Sequence, residues 1–317
     1  MPTDKTPAAY GGRGFAPREH SLREEIGSIW SACGQHCEYS PLAAVLMHRP
    51  GGELARSVNP DAVLMLEQLD PDLAARQHTA LAETYRRAGV NVYSVVPDGF
   101  SRSRPPPNLM FVADLFFMTP EGAILARPAS LVRAGEERHI AWRLADLGVP
   151  ILMSVHGKGT FEGADAAWLD EKSVLLARGR RTNHEGAEQV AAILTGIGVT
   201  TILVDLPEDG MHLMGQLRFL DKRTVVSWPG RNSSQTLRTL GEHGYSVLEM
   251  PDTEELRHGM ALNFVCLSPR RVVMPAGNPA SQAFLEKRGV ECLPVEVEEI
   301  TKAAGAIGCL TGVLQRR

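Results

Sequence analysis

Residues 108–128 read NLMFVADLFFMTPEGAILARP: an apolar run, a turn at Thr119-Pro120-Glu121-Gly122, and a second apolar run, AILARP (123–128). Apolar runs bounded by turn residues read as strands. The period then changes. Ile140, Leu144 and Leu147 fall on one face of a helix ending near Gly148, and VPILMSV (149–155) reads as a third strand. The unit is strand–strand–helix–strand.

The same order recurs along the chain, and internal repeats decide the architecture. From Glu162, EGADAAWL leads through the turn Asp170-Glu171-Lys172 to SVLLARG, a helix from about Asn183 to Thr195, and VTTILVDLP. From His212 come HLMGQLRFL, the turn Asp221-Lys222-Arg223, TVVSWP, a helix after Ser233, and YSVLEMP. From Asn263 come NFVCL, the turn Ser268-Pro269-Arg270-Arg271, VVMPAG, a helix from Pro279 to Lys287, and VECLPVEV. The lead residues are spaced 162 − 108 = 54, 212 − 162 = 50 and 263 − 212 = 51. A fifth unit is divided between the ends of the chain. Its first strand is expected at Gly308-Cys309-Leu310 (309 − 263 = 46), and the rest at PLAAVLMHRP (41–50), a helix around 75–88, and VNVYSVV (90–96). Five such units close into a pseudo-symmetric α/β propeller. Residues 31–317 then form one domain, and the Gly-, Pro- and Arg-rich stretch 1–30 reads as a loose tail.

If the lead positions converge on the propeller axis, Asn108, Glu162, His212, Asn263 and Cys309 share one centre. A thiol, an imidazole and a carboxylate in one pocket are the parts of a nucleophilic cysteine site. Cys266 and Cys292 lie inside apolar strands and read as packing residues. Asp114 sits between apolar neighbours, where an unpaired carboxylate is costly, which favours a role for it.

Bulk properties exclude several classes. The chain of 317 residues is 44% hydrophobic and 22% charged, an ordinary globular balance, with a net charge of −4. Neither this charge nor the single basic cluster Arg178-Gly179-Arg180-Arg181, which lacks interleaved aromatics, suggests nucleic acid. No secretory leader or membrane-spanning apolar run is legible. Five cysteines at scattered positions argue against a disulfide framework or a zinc site, so a reducing, cytoplasmic setting is expected.

At EYSPLAAVLMHRP (38–50), NLMFVADLFF (108–117), GTFEGAD (159–165), RTNHEGAEQV (181–190), GMHL (210–213) and GCLTGVL (308–314) the chain resembles the guanidino-group-modifying enzymes. These are the arginine deiminases, dihydrolases, dimethylarginine dimethylaminohydrolases and amidinotransferases, which share the pentein fold. The resemblance runs from about residue 38 to the C-terminus. It implies a small guanidino amino acid as substrate and neither metal nor organic cofactor. Cys309 is implied as the nucleophile on the guanidinium carbon, His212 as the proton donor to the leaving amine, and Glu162 as the partner carboxylate. Asp114, Asn108, Asp165 and Asn263 are implied to bind substrate. Arg127 in LARP and Arg181 in RTN match positions that grip the α-carboxylate, work suited to a guanidinium fork.

Two positions depart from the family pattern. Ala113 stands where an Arg or Glu is usual, and Met214 where many members have Asp. Both remove polar contacts near the guanidinium end and favour a bulkier or substituted guanidine. Hydrolysis through a covalent thiouronium is the expected reaction. Amidino transfer to a second amine, and a non-catalytic ligand-binding propeller, are the alternatives. Homo-oligomerisation stays open.

Overall fold

The structure, a computed structural model, describes residues 6–56, 59–95, 105–251 and 254–317. Of the 1–30 stretch, residues 1–5 lie outside the described residues, as does Val96 at the end of an expected strand. Residues 6–30 include the short helix α1 (Leu22–Glu25), capped by Ser21, and Glu25 pairs with Arg18.

The chain then runs through five repeats. The elements are β1 (Leu42–Met47), α2 (Pro71–Arg87) and β2 (Asn91–Ser94); β3 (Phe116–Thr119), β4 (Gly122–Leu125), α3 (Glu137–Asp146) and β5 (Ile151–Ser154). Next are β6 (Ala166–Asp170), β7 (Ser173–Arg178), α4 (His184–Gly196) and β8 (Thr200–Asp205), then β9 (Leu217–Asp221), β10 (Thr224–Ser227), α5 (Ser234–Glu242) and β11 (Ser246–Glu249). After α6 (Glu254–Arg257) come β12 (Val265–Ser268), β13 (Arg271–Pro275), α7 (Pro279–Glu286) and β14 (Glu291–Val295). The chain closes with α8 (Glu298–Thr301), α9 (Ile307–Leu310) and β15 (Gly312–Arg316).

Each repeat makes a three-stranded sheet with the same pairing. The middle strand is antiparallel to the first and parallel to the third, as in β3-β4-β5 and β6-β7-β8. The fifth sheet, β15-β1-β2, joins the two ends of the chain, with Val45 opposite Val313 and Leu46 opposite Gly312. This is the expected five-bladed α/β propeller. Burial follows sheet position: β1 and β4 are buried throughout, while β2, β5 and β11 are largely exposed.

Helices close over the sheets with one apolar stripe. In α4, Ala187, Val190 and Leu194 point inward at helical spacing, and Asn183 caps the helix by accepting from Gly186 N at 2.9 Å. Blades are tied together by buried polar contacts. Trp168 Nε1 donates to Met118 O of the preceding blade at 3.1 Å, and within the closing blade Tyr85 Oη lies 2.8 Å from Thr311 Oγ1, joining the two ends of the chain.

One expected strand is corrected. Gly308-Cys309-Leu310 is not the first strand of the fifth blade but part of the helical turn α9; the strand begins at Gly312. The blades led by Asn108, Glu162 and His212 show why. One 3-10 turn (Val112–Asp114, Gly163–Asp165 or Leu213–Gly215) separates each near-axis lead residue from its strand. The chain must turn away from the crowded axis before it can enter a sheet.

Two glycines of α4 separate close approach from simple propensity. An added Cβ on Gly186 would lie 1.9 Å from Thr160 O, whereas one on Gly196 meets nothing within 4 Å. Gly186→Ala is expected to destabilise by about 1–3 kcal/mol through overpacking, while Gly196→Ala stabilises by up to about 1 kcal/mol. Urea midpoints of the two variants check this.

Candidate active site

The turns before the first strands deliver charged side chains into a buried centre. His212 is 6% exposed and Glu162 and Asp165 are fully buried. His212 Nε2 lies 2.7 Å from Glu162 Oε2, which leaves Nδ1 to face Asp114 Oδ1 at 3.9 Å. Glu162 Oε1 also accepts from Ala129 N at 3.2 Å and from Arg181 Nη1 at 3.4 Å. Asp165 sits behind this layer. Its two oxygens accept from Thr182 Oγ1 (2.7 Å) and Leu213 N (3.2 Å).

Cys309 is partly exposed and is held by its neighbour at the fourth blade. Asn263 Nδ2 donates to Cys309 Sγ at 3.2 Å, and Asn263 Oδ1 accepts from Gly308 N at 2.6 Å. Gly308 is required here, because a Cβ would fall 1.8 Å from Arg218 Nη2 and 2.9 Å from Asn263 Oδ1. A pocket of about 30 Å³ gathers Asn108, Asp114, Arg133, Arg181, His212 and Cys309. Asn108 also donates from Nδ2 to Val63 O at 2.8 Å.

The charges are unevenly tuned. Burial opposes a charge on His212, yet Asp114, Asp165 and Glu162 outweigh it and raise the imidazole to about 9. Glu162, though desolvated, is held well below the usual carboxylate range by His212, Arg133 and Arg181. Burial pushes Asp165 up to about 6. The Cys309 thiol is raised by burial and by Asp114, against the Asn263 donor and the Arg218 cation. The resting site is therefore an imidazolium beside a thiol, short of one nearby positive charge that would ionise the sulfur.

Residues 231–316 match the arginine deiminase family. A dimethylarginine dimethylaminohydrolase from Pseudomonas aeruginosa is 25% identical over 75% of this chain and 87% of its own. Among solved structures, a mutant of the P. aeruginosa dimethylarginine dimethylaminohydrolase complexed with citrulline superposes with a TM-score of 0.72 at 22% identity, covering 87% of this chain and all of that one. An amidinotransferase from the saxitoxin pathway of Microseira wollei gives 0.70 at 16%, covering 90% and 97%. The structural likenesses speak for the fold. The chain is thus similar to the guanidino-group-modifying superfamily along most of its length and shares its fold.

In this pentein, most sequence-predicted site residues meet, and one does not. Arg127 is exposed; its backbone bridges Phe161 and its Nη1 donates to Gly159 O at 3.0 Å, away from the thiol. The guanidinium that enters the site instead is Arg133. Its Nη1 donates to Asp114 Oδ2 at 2.6 Å, its Nε to Glu136 Oε2 at 2.9 Å, and Nη1 lies 3.7 Å from Glu162 Oε2. Arg133 ends a 3-10 turn capped by Ser130. Only the apolar pair Leu131-Val132 before it in a polar loop hints at an inward side chain. Arg218 was also not singled out from the sequence, although its Nη2 is buried without a hydrogen-bond partner among the described residues. One ligand atom each from Asp114, Glu162 and His212 lie within 4.8 Å of one another, a spacing a metal ion uses. Arg133 and Arg181 already bring guanidinium charge to those carboxylates, so the cluster suits a guanidinium ligand at least as well.

Removing Arg133 leaves Asp114 and Glu136 buried and uncompensated. Arg133→Met is expected to cost about 3–5 kcal/mol of stability in urea unfolding. The imidazolium gives a second test. Because the folded value of His212, about 9, exceeds the ordinary 6.5, its contribution is full below pH 6.5 and lost as pH rises through 9. The stability difference between the native chain and His212→Gln is therefore expected to shrink across that window.

Proposed function

We propose that the protein is a cysteine-dependent hydrolase of the guanidino group of arginine or a substituted arginine, acting through a thiouronium on Cys309. One observation carries the reading. Among the described residues, Asp114 Oδ1 is a buried carboxylate oxygen with no hydrogen-bond partner, and Asp114 lines the same pocket as the thiol and the imidazole. An unsatisfied buried acceptor is costly, and a guanidinium N–H would satisfy it. Arg133 fixes the other oxygen of that carboxylate, so the free one is held in place.

The chemistry follows from the charges. A bound guanidinium supplies the positive charge that Cys309 lacks and draws the thiol toward thiolate. The thiolate adds to the guanidinium carbon, His212 gives its proton to the departing nitrogen, and the carbon–nitrogen bond breaks. The C–S-linked thiouronium remains. Neutral His212 then takes a proton from water as the oxygen attacks carbon. The carbon–sulfur bond breaks, leaving a ureido product and a free thiolate. Glu162 holds the imidazole throughout, and Asn263 keeps the sulfur oriented. Arg181, at the pocket and partly exposed, is assigned to the substrate α-carboxylate.

Amidino transfer is the second reading, supported by the amidinotransferase likeness of the fold. The same adduct serves both reactions, and only the acceptor differs. A panel of L-arginine, its N-methylated forms and agmatine, each with and without glycine or ornithine, separates them by product. Hydrolysis predicts a ureido product whether or not the amine is added; a new guanidino compound formed only with the amine would replace this reading by transfer. Cys309→Ser is expected to lower kcat roughly 10³-fold or more. Arg181→Ala is expected to raise KM for arginine but not for agmatine, which lacks the carboxylate; equal effects on both would remove Arg181 from its role.

A further inference from the structure

The thiol and imidazole are shared by two cavities of different character. The first is the narrow polar pocket that holds Asp114, Arg133 and Arg181. The second is about 310 Å³, tenfold larger than the first, and shares with it Met211, His212, Ala304 and Cys309. Its other walls include Met214, Trp228, Leu256, Met260 and Leu262. Leu256 and Leu262 are 1% and 2% exposed, so this is a solid apolar wall rather than a surface fold of the chain. Three charged residues also line it, Asp209, Arg231 and Arg257; Arg231 Nη1 binds Asp209 Oδ2 at 2.6 Å and its guanidinium lies 5.2 Å from the centre of the Trp228 ring.

We propose that this cavity receives an apolar substituent on the departing nitrogen, so that the preferred substrates are N-alkylated or N-arylated guanidines releasing an amine larger than dimethylamine. The proposal rests on the hydrolase reading above and names its substrate class. The departing nitrogen must come within reach of the His212 proton, and His212 lines both cavities. The amino-acid end is placed with Arg181 and Asp114 in the polar pocket. A substituent on the departing nitrogen then has the larger cavity before it, where three thioethers, an indole and two leucines stand beside the polar Gln216 and Asn263. Ammonia or methylamine would leave most of that apolar surface uncovered. Methionine side chains adapt to irregular apolar groups, and three of them, Met211, Met214 and Met260, line this space. Met214 stands where a carboxylate would have opposed such a group by remaining hydrated.

In the reaction, the bond that breaks joins the guanidinium carbon to the alkylated nitrogen. That nitrogen leaves as the alkylamine with the proton from His212, and Cys309 keeps the amidino carbon until water releases the ureido product. The test uses Nω-methyl-, Nω-propyl- and Nω-pentyl-L-arginine with the full-length protein. Their departing amines have nearly equal basicity, so size alone varies along the series. Burial of each methylene is expected to raise kcat/KM roughly fourfold. Met214→Glu, which puts a charge in the cavity, is expected to bring the pentyl-to-methyl ratio to one or below. That ratio is internal to each preparation and does not depend on the folded fraction. A ratio at or below one in the native protein, with the methyl compound still turned over, overturns the assignment of the cavity and leaves the hydrolase intact. Turnover of none of the three, together with no alkylation of Cys309 by chloroacetamidine, overturns the hydrolase reading beneath it.

Discussion

The 2.7 Å hydrogen bond between His212 and Glu162 joins the two repeats that these residues lead at the axis, and the charge of the whole centre depends on it. Closing five blades forces their leading residues out of water whatever their polarity. Four carboxylates (Asp114, Glu136, Glu162 and Asp165) and three cations (Arg133, Arg181 and His212) are packed together as a result. Such a cluster persists only where nearly every lone pair has a partner. Burial moves Glu136 to about 7 and Asp165 to about 6, so of the four acids Glu136 is the one brought to near-neutral titration. Glu162 is held ionised. Among the described residues two carboxylate oxygens of the centre stay without a hydrogen-bond partner, Asp114 Oδ1 and Glu136 Oε1, and of the two residues it is Asp114 that lines the pocket of the thiol, which marks where a cation is wanted.

The thiol is set apart from the other cysteines by the same geometry. Burial alone pushes Cys33 up to about 11, and burial dominates at Cys266 and Cys292, also raised to about 11. Cys309 alone among these four sits in a helical turn with an amide donor on its sulfur and a buried guanidinium, that of Arg218, close behind. Gly308 makes this approach sterically feasible. The sulfur thus has the Arg218 guanidinium behind it and the His212 imidazolium in the same pocket in the resting protein, and the account assigns a further positive charge to the bound substrate.

Much of the fold was legible because strand and helix periods repeat with the blade. The five lead positions were legible for the same reason, since phase within a repeat fixes distance from the axis. What phase does not fix is a side chain entering from a loop. Arg133 lies in a turn between β4 and α3, where no periodicity assigns direction, whereas Arg127, six residues earlier, carried the family likeness. The antiparallel bridge between Arg127 and Phe161 turns that side chain outward, an outcome set by pairing with a different blade. Arg218 was missed because it sits inside an otherwise apolar strand and reads as a solvated position. The helical turn at Cys309 was missed because Gly-Cys-Leu before a strand has no helical length of its own; the crowding of the axis imposes it.

The central claim is that carbon of the substrate guanidinium becomes bonded to the sulfur of Cys309. Acid-quenching the enzyme during turnover of arginine or an N-alkylarginine labelled with ¹³C at the guanidino carbon, followed by peptide mass spectrometry, tests it directly. The account predicts the labelled amidino group on the peptide containing Cys309, and its disappearance in Cys309→Ser. Product formed while that peptide stays unlabelled, or label carried by another residue, would contradict it.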